Sequence, residues 1–458
     1  MLTSLKAERF KSWQDTGEIR FAPLTTFFGT NSSGKTSLLQ LLLMFKQTVE
    51  STDRSQILHF GDRRSLVELG TYTDVIHRHE PDGELKWEMG WTLPSRLDVQ
   101  DPAQPGQLLF SGDQMGFAAQ LAWLGNGDGL GRAAVQRMAY RFAEADFGMR
   151  AVNLARKEYE LFETRKSFQF LRTPGRVWKL PPPAKFYGFP DQVRAYYQNA
   201  GFLSDFELQF EQLFTRLFYL GPLRDYPQRE YTWGGSRPSD MGRRGENVVD
   251  ALLASAEAGD VIRYGRGRKN MTLQERVAAW LKELGLIERF EVRPIARGGK
   301  LFQVWITRQP GAAEALITDV GFGVSQILPV IALCYYVPMG SVVILEQPEI
   351  HLHPAVQAGL ADVFIDAIKT RQIQLIVETH SEHLLRRLQR RIAEEQLGAD
   401  QAALYFTGTH QGESALTSLE LDTFGNIQNW PAGFFGDEMG EIAATQKAII
   451  ARKLARAR

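Results

Sequence analysis

The segment GTNSSGKT, from Gly29 to Thr36, stands near the start of the chain, yet the segments that could complete its chemistry begin only at Gly321. They are GFGVSQ (Gly321 to Gln326), VVILEQPEIHLHP (Val342 to Pro354) and LIVETHS (Leu375 to Ser381). That order constrains the fold more than any single segment does. A strand–loop–helix unit at the front and two apolar strands with acidic ends at the back can share one sheet only if a long insertion loops out between them.

The residue types explain what such a sheet would do. Leu24 to Phe28 reads as a strand running into the loop, and Thr36 to Lys46 as a helix apolar almost all round, hence buried. Gly29 and Gly34 let the backbone curl so that the N–H groups through Asn31, Ser32 and Ser33 point inward as an anion nest. The following helix, with Ser37 in its first turn, adds the positive end of its dipole. Lys35 is expected to reach the terminal phosphates of a nucleotide, and the Thr36 hydroxyl to ligate Mg²⁺.

Val342 to Leu345 is an unbroken apolar run, as in a central parallel strand, and Glu346 follows at its carboxyl end, where a carboxylate can hold Mg²⁺. Leu375 to Val377 is a second such strand and delivers Glu378, Thr379 and His380, the histidine placed to donate to a γ-phosphate. Gly321, Gly323, Ser325 and Gln326 precede a helix expected over Ile327 to Tyr336. Alone they are a glycine turn with a capping hydroxyl; their position ahead of the acidic strand gives them a second anion-site reading.

Composition removes other classes. Lys+Arg and Asp+Glu number 53 each, so no global field draws the chain to nucleic acid or membrane. A local basic groove stays open: Arg224, Arg243, Arg244 and the basic end Lys447 to Arg458 read either as phosphate or DNA contacts or as solvated structural arginines and a frayed helix. Cys334 is the sole cysteine, which excludes an internal disulfide and suits a reducing compartment. The uncharged stretch Ile327 to Leu345 is interrupted by Pro329, Pro338 and Gly340, so it reads as a buried helix and strand, with no membrane span. Met1 to Ser12 lacks the apolar core of a secretory signal, and the expected location is cytoplasmic. His351 and His353 lack the further ligands a zinc site needs.

These segments together resemble the ATPase heads of the ABC-type group that includes RecF, SMC and OLD proteins, and most nearly the prokaryotic RecF/OLD-like AAA-family ATPases that end in a domain of unknown function. GTNSSGKT resembles the Walker A loop, GFGVSQ the signature, EQPEIHLHP the Walker B and D-loop segment, and THS the switch histidine. LGPLRDYP (Leu220 to Pro227) and GRRGENVVD (Gly242 to Asp250) are also similar to this subfamily.

The resemblance implies an α/β P-loop NTPase: an ABC-type ATPase head in two parts, residues 1–95 and 285–430. The stretch between them, 96–284, rich in Gly, Pro, Arg and aromatics, itself reads as a mainly helical insertion, with short helices expected at Ala133 to Phe147, Leu203 to Phe218, Glu246 to Ala258 and Leu273 to Leu284. A helical tail over 431–458, with a helix from Glu441 to Arg458, would follow. The resemblance further implies ATP and Mg²⁺ as cofactors, a homodimer closed around a pair of ATP molecules, and an effector or nuclease protein as partner in DNA maintenance or anti-phage defence.

One departure stands out. Such heads usually carry Asp-Glu where this chain has Glu346-Gln347, and an amide cannot accept the proton of the attacking water. Either Glu349 or His380 supports the water, or turnover is slow and the protein is an ATP-gated scaffold. A RecF-like DNA clamp is the remaining alternative.

Overall fold

The computed structural model describes residues 1–431 apart from 81, 102–105, 127–129, 176–178 and 264–268, together with 446, 447 and 449. The helix expected over Glu441 to Arg458 falls, but for those isolated positions, outside the described residues.

A six-stranded sheet carries the motifs. Its spatial order is Leu217–Leu220, Val342–Glu346, Gln374–Glu378, Leu24–Gly29, Ala402–His410 and Glu413–Ser418. All neighbours run parallel except the last pair, which is antiparallel. Alternate side chains point to opposite faces, and both faces are covered. Val342, Ile344, Ile376 and Phe27 enter one core, while Val343, Leu345, Leu375, Val377 and Phe28 enter the other. Two-sided burial is why these strands read as continuous apolar runs.

The first core is closed by an antiparallel sheet. Leu2–Phe10 pairs with Leu85–Gln100, and the ladder continues through Leu108–Asn126, Leu130–Phe142, Ala145–Asn153 and Glu158–Glu163. The helix Lys35–Glu50 lies in this core, with Leu38, Leu39 and Leu41 to Phe45 all buried. The Phe45 ring sits 5.0 Å from Trp87 of the antiparallel sheet and 5.8 Å from Phe214 of the helix Leu203–Thr215. A helix enclosed on every side has no polar face to offer, hence its all-round apolar sequence.

Three expectations are corrected. The insertion is not mainly helical: its first half is the antiparallel sheet, and the supposed boundary near residue 95 falls inside the strand Leu85–Gln100. The helix expected at Ala133 to Phe147 is instead the end of one strand, Leu130–Phe142, and the start of the next, Ala145–Asn153. A register shift at Gln120/Leu121 explains the misreading. Val135 is buried before the shift, and Met138, Tyr140 and Phe142 after it, so the alternation changes phase and imitates helical spacing.

The third correction concerns Leu203 to Phe218. That helix stops at Thr215, and Leu217–Leu220 becomes the outer strand of the parallel sheet, in register with Val342–Leu345. The insertion therefore contributes a strand to the sheet that bears the motifs. The helices Val248–Glu257 and Leu273–Glu283 form close to where they were expected. Among the described residues no helix is long and apolar enough to cross a membrane.

Candidate nucleotide-binding site

The loop Gly29–Gly34 follows the carboxyl end of the strand Leu24–Gly29 in the parallel sheet, where open α/β sheets place their ligands. Gly29 and Gly34 both hold positive φ, +147° and +90°. A Cβ on Gly29 would lie 2.2 Å from the Thr407 carbonyl, and one on Gly34 would lie 2.4 Å from the Ser414 hydroxyl. Both glycines are thus required by space as well as by conformation. Asn31 and Ser32 are exposed, and Ser32 adds a further left-handed residue at φ 59°.

Neighbouring elements brace the loop. Ser33 Oγ bonds the Thr30 carbonyl at 2.8 Å and Thr407 Oγ1 at 2.6 Å. Trp13 Nε1 donates to the Gly34 carbonyl at 3.0 Å. Trp13 and Thr407 belong to other strands and were not singled out in the sequence; no local signal marks them.

Lys35 turns back over the loop, donating to the carbonyls of Gly29 at 3.1 Å and Thr30 at 2.7 Å. Burial lowers its pKa, opposed by the charges of Glu378 and Glu349. Thr36 Oγ1 donates to Glu378 Oε1 at 2.9 Å. Glu378 is the residue missed as a site candidate. The signal was present: Glu346 and Glu378 end adjacent parallel strands as register partners. Ser37 follows, half-buried, in the first turn of the helix.

Three carboxylates are buried here. Glu346 is pushed up to about 8 by burial, with the Glu378 charge adding to it and the Tyr219 hydroxyl and Arg224 opposing it. Burial likewise raises Glu349 and Glu378. Each has one oxygen without a hydrogen-bond partner among the described residues: Glu346 Oε1, Glu349 Oε2 and Glu378 Oε2. Glu349 Oε1 accepts the His380 backbone N–H at 2.7 Å, tying the residue after Gln347 and Pro348 to the histidine turn. The His380 pKa is lowered by burial and by the Lys35 charge. Gln347 adopts φ 43° and donates its backbone N–H to the Glu378 carbonyl at 2.8 Å.

Free carboxylate oxygens beside the Thr36 hydroxyl are the hard oxygen donors that Mg²⁺ selects. Among the described residues no group of three or more His, Cys, Asp or Glu could hold a metal ion by itself. The donors fit a cation shared with phosphate oxygens, held by Thr36 and by Glu346 or Glu378.

The glycine segment Gly321 to Gln326 is not joined to this cluster. The helix begins at Gly323, earlier than expected, so Ser325 lies inside it and bonds back to the Phe322 carbonyl at 2.8 Å. Gly321 is exposed, and the half-exposed Phe322 ring packs against Tyr226 at 5.7 Å and His351 at 5.6 Å. Gln326 is buried, with its Nε2 unpartnered. Among the described residues no hydrogen bond or ion pair connects this segment to Gly29–Ser37. His353 caps the helix Pro354–Arg371, its Nδ1 accepting from the Ala355 N–H at 3.3 Å, a structural use of that histidine.

A family model described as "AAA domain, putative AbiEii toxin, Type IV TA system" matches residues 140–386, and one described as "Protein of unknown function (DUF3696)" matches residues 397–444. Among solved structures, the SMC head domain from Thermotoga maritima is similar at 13% identity and a TM-score of 0.40, over 92% of this chain and 99% of that one. The SmcHead bound to the C-winged helix domain of ScpA is similar at 12% identity and a TM-score of 0.43, over 92% of this chain and 98% of that one. An Smc head with an extended coiled coil, bound to the C-terminal domain of ScpA derived from Pyrococcus furiosus, gives 12% and 0.43, over 92% and 96%. No curated protein matches the chain.

Proposed function

Because this chain belongs to the AAA-domain family whose model spans its residues 140–386, we propose that it binds ATP with Mg²⁺ at the Gly29–Ser37 loop and hydrolyses it. The observation that carries this reading is that Lys35, Thr36, Glu346 and Glu378 all stand at the carboxyl ends of neighbouring central strands, with Thr36 already bonded to Glu378. The loop N–H groups and Lys35 would bind the phosphates. Thr36 with Glu346 or Glu378 would hold Mg²⁺, which neutralises charge on the β- and γ-phosphates.

Among the described residues no hydrogen bond or ion pair joins the segment Gly321–Gln326 to the loop of its own chain. We read that segment as serving the loop of a second copy, so that ATP joins a homodimer and hydrolysis releases it. Such a cycle would switch or drive an effector protein; RecF/OLD-like kinship, with a role in DNA maintenance or anti-phage defence, belongs to this reading. Gln347 favours a second one, an ATP-gated scaffold with little turnover, because its amide cannot take a proton.

Calorimetric titration of ATP tests the site. Binding to the wild type that strengthens with Mg²⁺, and is lost in Lys35→Ala, supports the assignment. Equal binding by Lys35→Ala contradicts it.

A further inference from the structure

A cavity of about 970 Å³ is lined by residues 54–58, 70–73 and 182–184 and by the adjoining ends of the strands Leu108–Asn126 and Leu130–Phe142. That is the size of a small-molecule site, and none of its lining residues belongs to the Gly29–Ser37 loop. Its walls are apolar and aromatic: Leu58, Tyr72, Trp123, Val135, Tyr159 and Pro183. Both tyrosine hydroxyls donate to backbone carbonyls, Tyr72 to Gly83 at 3.0 Å and Tyr159 to Val135 at 2.7 Å, so the tyrosines offer ring surface only. Gly125 and Gly131, register partners on the two strands, make room for the Trp123 indole. A Cβ on either would lie 2.4 Å from an indole atom. The Tyr72 ring stacks with that indole at 5.2 Å.

The charges on the lining are lopsided. Arg54, Arg132 and Lys157 stand there with one acid, Asp191, and that acid pairs with Arg54 at 3.2 Å. The side chains of Arg132 and Lys157 are exposed and have no hydrogen-bond or ion-pair partner among the described residues. Aromatic walls take a planar ring by offset or edge contact, and unpaired cations beside them favour a ring that carries negative charge. The walls are also tied to the loop helix Lys35–Glu50. Gln47 Nε2 donates to the His59 carbonyl at 2.6 Å, and Thr48 Oγ1 accepts the His59 N–H at 2.8 Å. On the other side, Lys185 Nζ donates to the carbonyls of Val49 and Ser51, each at 2.8 Å, and its backbone N–H to the Arg54 carbonyl at 3.1 Å.

We propose that this cavity is a second ligand site, for a small anion built on a planar aromatic ring, and that its occupancy is linked to nucleotide binding through the helix Lys35–Glu50. The ring lies against Trp123, Tyr72 and Tyr159, and its charge is met by Arg132 and Lys157. A ligand that fixes residues 54–58 and 182–184 also fixes the last turns of the helix whose first turn holds Lys35 and Thr36. The linkage rests on the ATP-binding reading above; the site itself does not.

Fluorescence titration of the full chain with anilinonaphthalene sulfonate, an anion on a fused aromatic ring, tests the proposal beside its uncharged parent, phenylnaphthylamine. The variants are Trp123→Leu and the exposed pair Arg132→Glu with Lys157→Glu, with melting curves to verify folding. A single sulfonate probe should bind per chain, and the charge-reversed pair should weaken it on the order of tenfold. The uncharged probe should bind that pair as it binds the wild type, whereas Trp123→Leu should weaken both probes. Lys35→Ala should bind the sulfonate probe normally. Sulfonate binding equal in the charge-reversed pair, lost in Lys35→Ala or spread over many weak sites would overturn the site. Saturating Mg²⁺·ATP should shift the affinity for the sulfonate probe more than about twofold, and the probe should shift that for ATP by the same factor, because such coupling is reciprocal. No shift in either would overturn the linkage. ATP bound equally by Lys35→Ala would instead sink the nucleotide reading, leaving the charge-reversed pair to decide the site.

Discussion

The Thr36 hydroxyl donates to Glu378 at 2.9 Å, joining the first turn of the loop helix to a strand that lies 342 residues further along the chain. Glu378 stands beside Glu346 in register, so the threonine's carboxylate partner has a second carboxylate at the adjacent strand end. Glu378→Gln keeps the shape and removes a charge. It should weaken Mg²⁺-dependent ATP binding by about tenfold or more, a loss of about 1.4 kcal/mol per factor of ten, and leave Mg²⁺-free binding within about twofold. Titrations with and without Mg²⁺ check this; an unchanged Mg²⁺ dependence would remove Glu378 from the metal's surroundings.

The loop is held from outside by Trp13, whose Nε1 bonds the Gly34 carbonyl at 3.0 Å. Trp13→Phe deletes that bond and keeps most of the ring in its fully buried place. The expected cost is about 1 kcal/mol, read as a several-fold weaker ATP affinity with a folded protein. Gly29→Ala is far more severe, because the new Cβ would meet the Thr407 carbonyl. It should abolish ATP binding, and equilibrium titration of the purified variant would show it.

Gln347→Glu puts a carboxylate where the wild type has an amide. If Glu349 already supplies the base, turnover should change by less than about threefold. A rise of about 100-fold or more, the scale of general-base catalysis, would assign the wild type to the gated-scaffold reading. Steady-state phosphate release decides between them.

Burial pushes Glu346 up from its usual 4.5 to about 8. Between those values the folded protein keeps a proton that the unfolded chain has lost. This contribution to stability is therefore complete below about 4.5 and lost as pH rises through about 8, at up to about 1.4 kcal/mol per pH unit. Glu346→Gln cannot ionise and lacks that slope. Melting curves of the nucleotide-free proteins at pH 5 and pH 8 should show the variant gaining on the wild type by a few degrees at the higher pH, on the order expected from this linkage. Parallel pH dependence would refute it.

Much of the site could be read from the sequence because its chemistry is local: Gly29 to Thr36 is continuous, and Glu346 and His380 each follow an apolar run. What escaped depends on neighbours distant along the chain. Thr407 and Trp13 support the loop only because their strands happen to lie beside it. Leu217–Leu220 is too short to announce itself as a strand, and it sits directly after a helix whose pattern runs into it. Leu130–Phe142 hides its alternation behind a bulge. Arg224 looked like a surface arginine because nothing in LGPLRDYP marks it as buried.

The most direct test of the account is ATP hydrolysis measured beside sedimentation mass for the wild type and Lys35→Ala, each with and without Mg²⁺·ATP. The account predicts turnover above the Lys35→Ala background and a doubling of mass with ATP in the wild type alone. Turnover and mass that respond to ATP in neither protein, or equally in both, would contradict it.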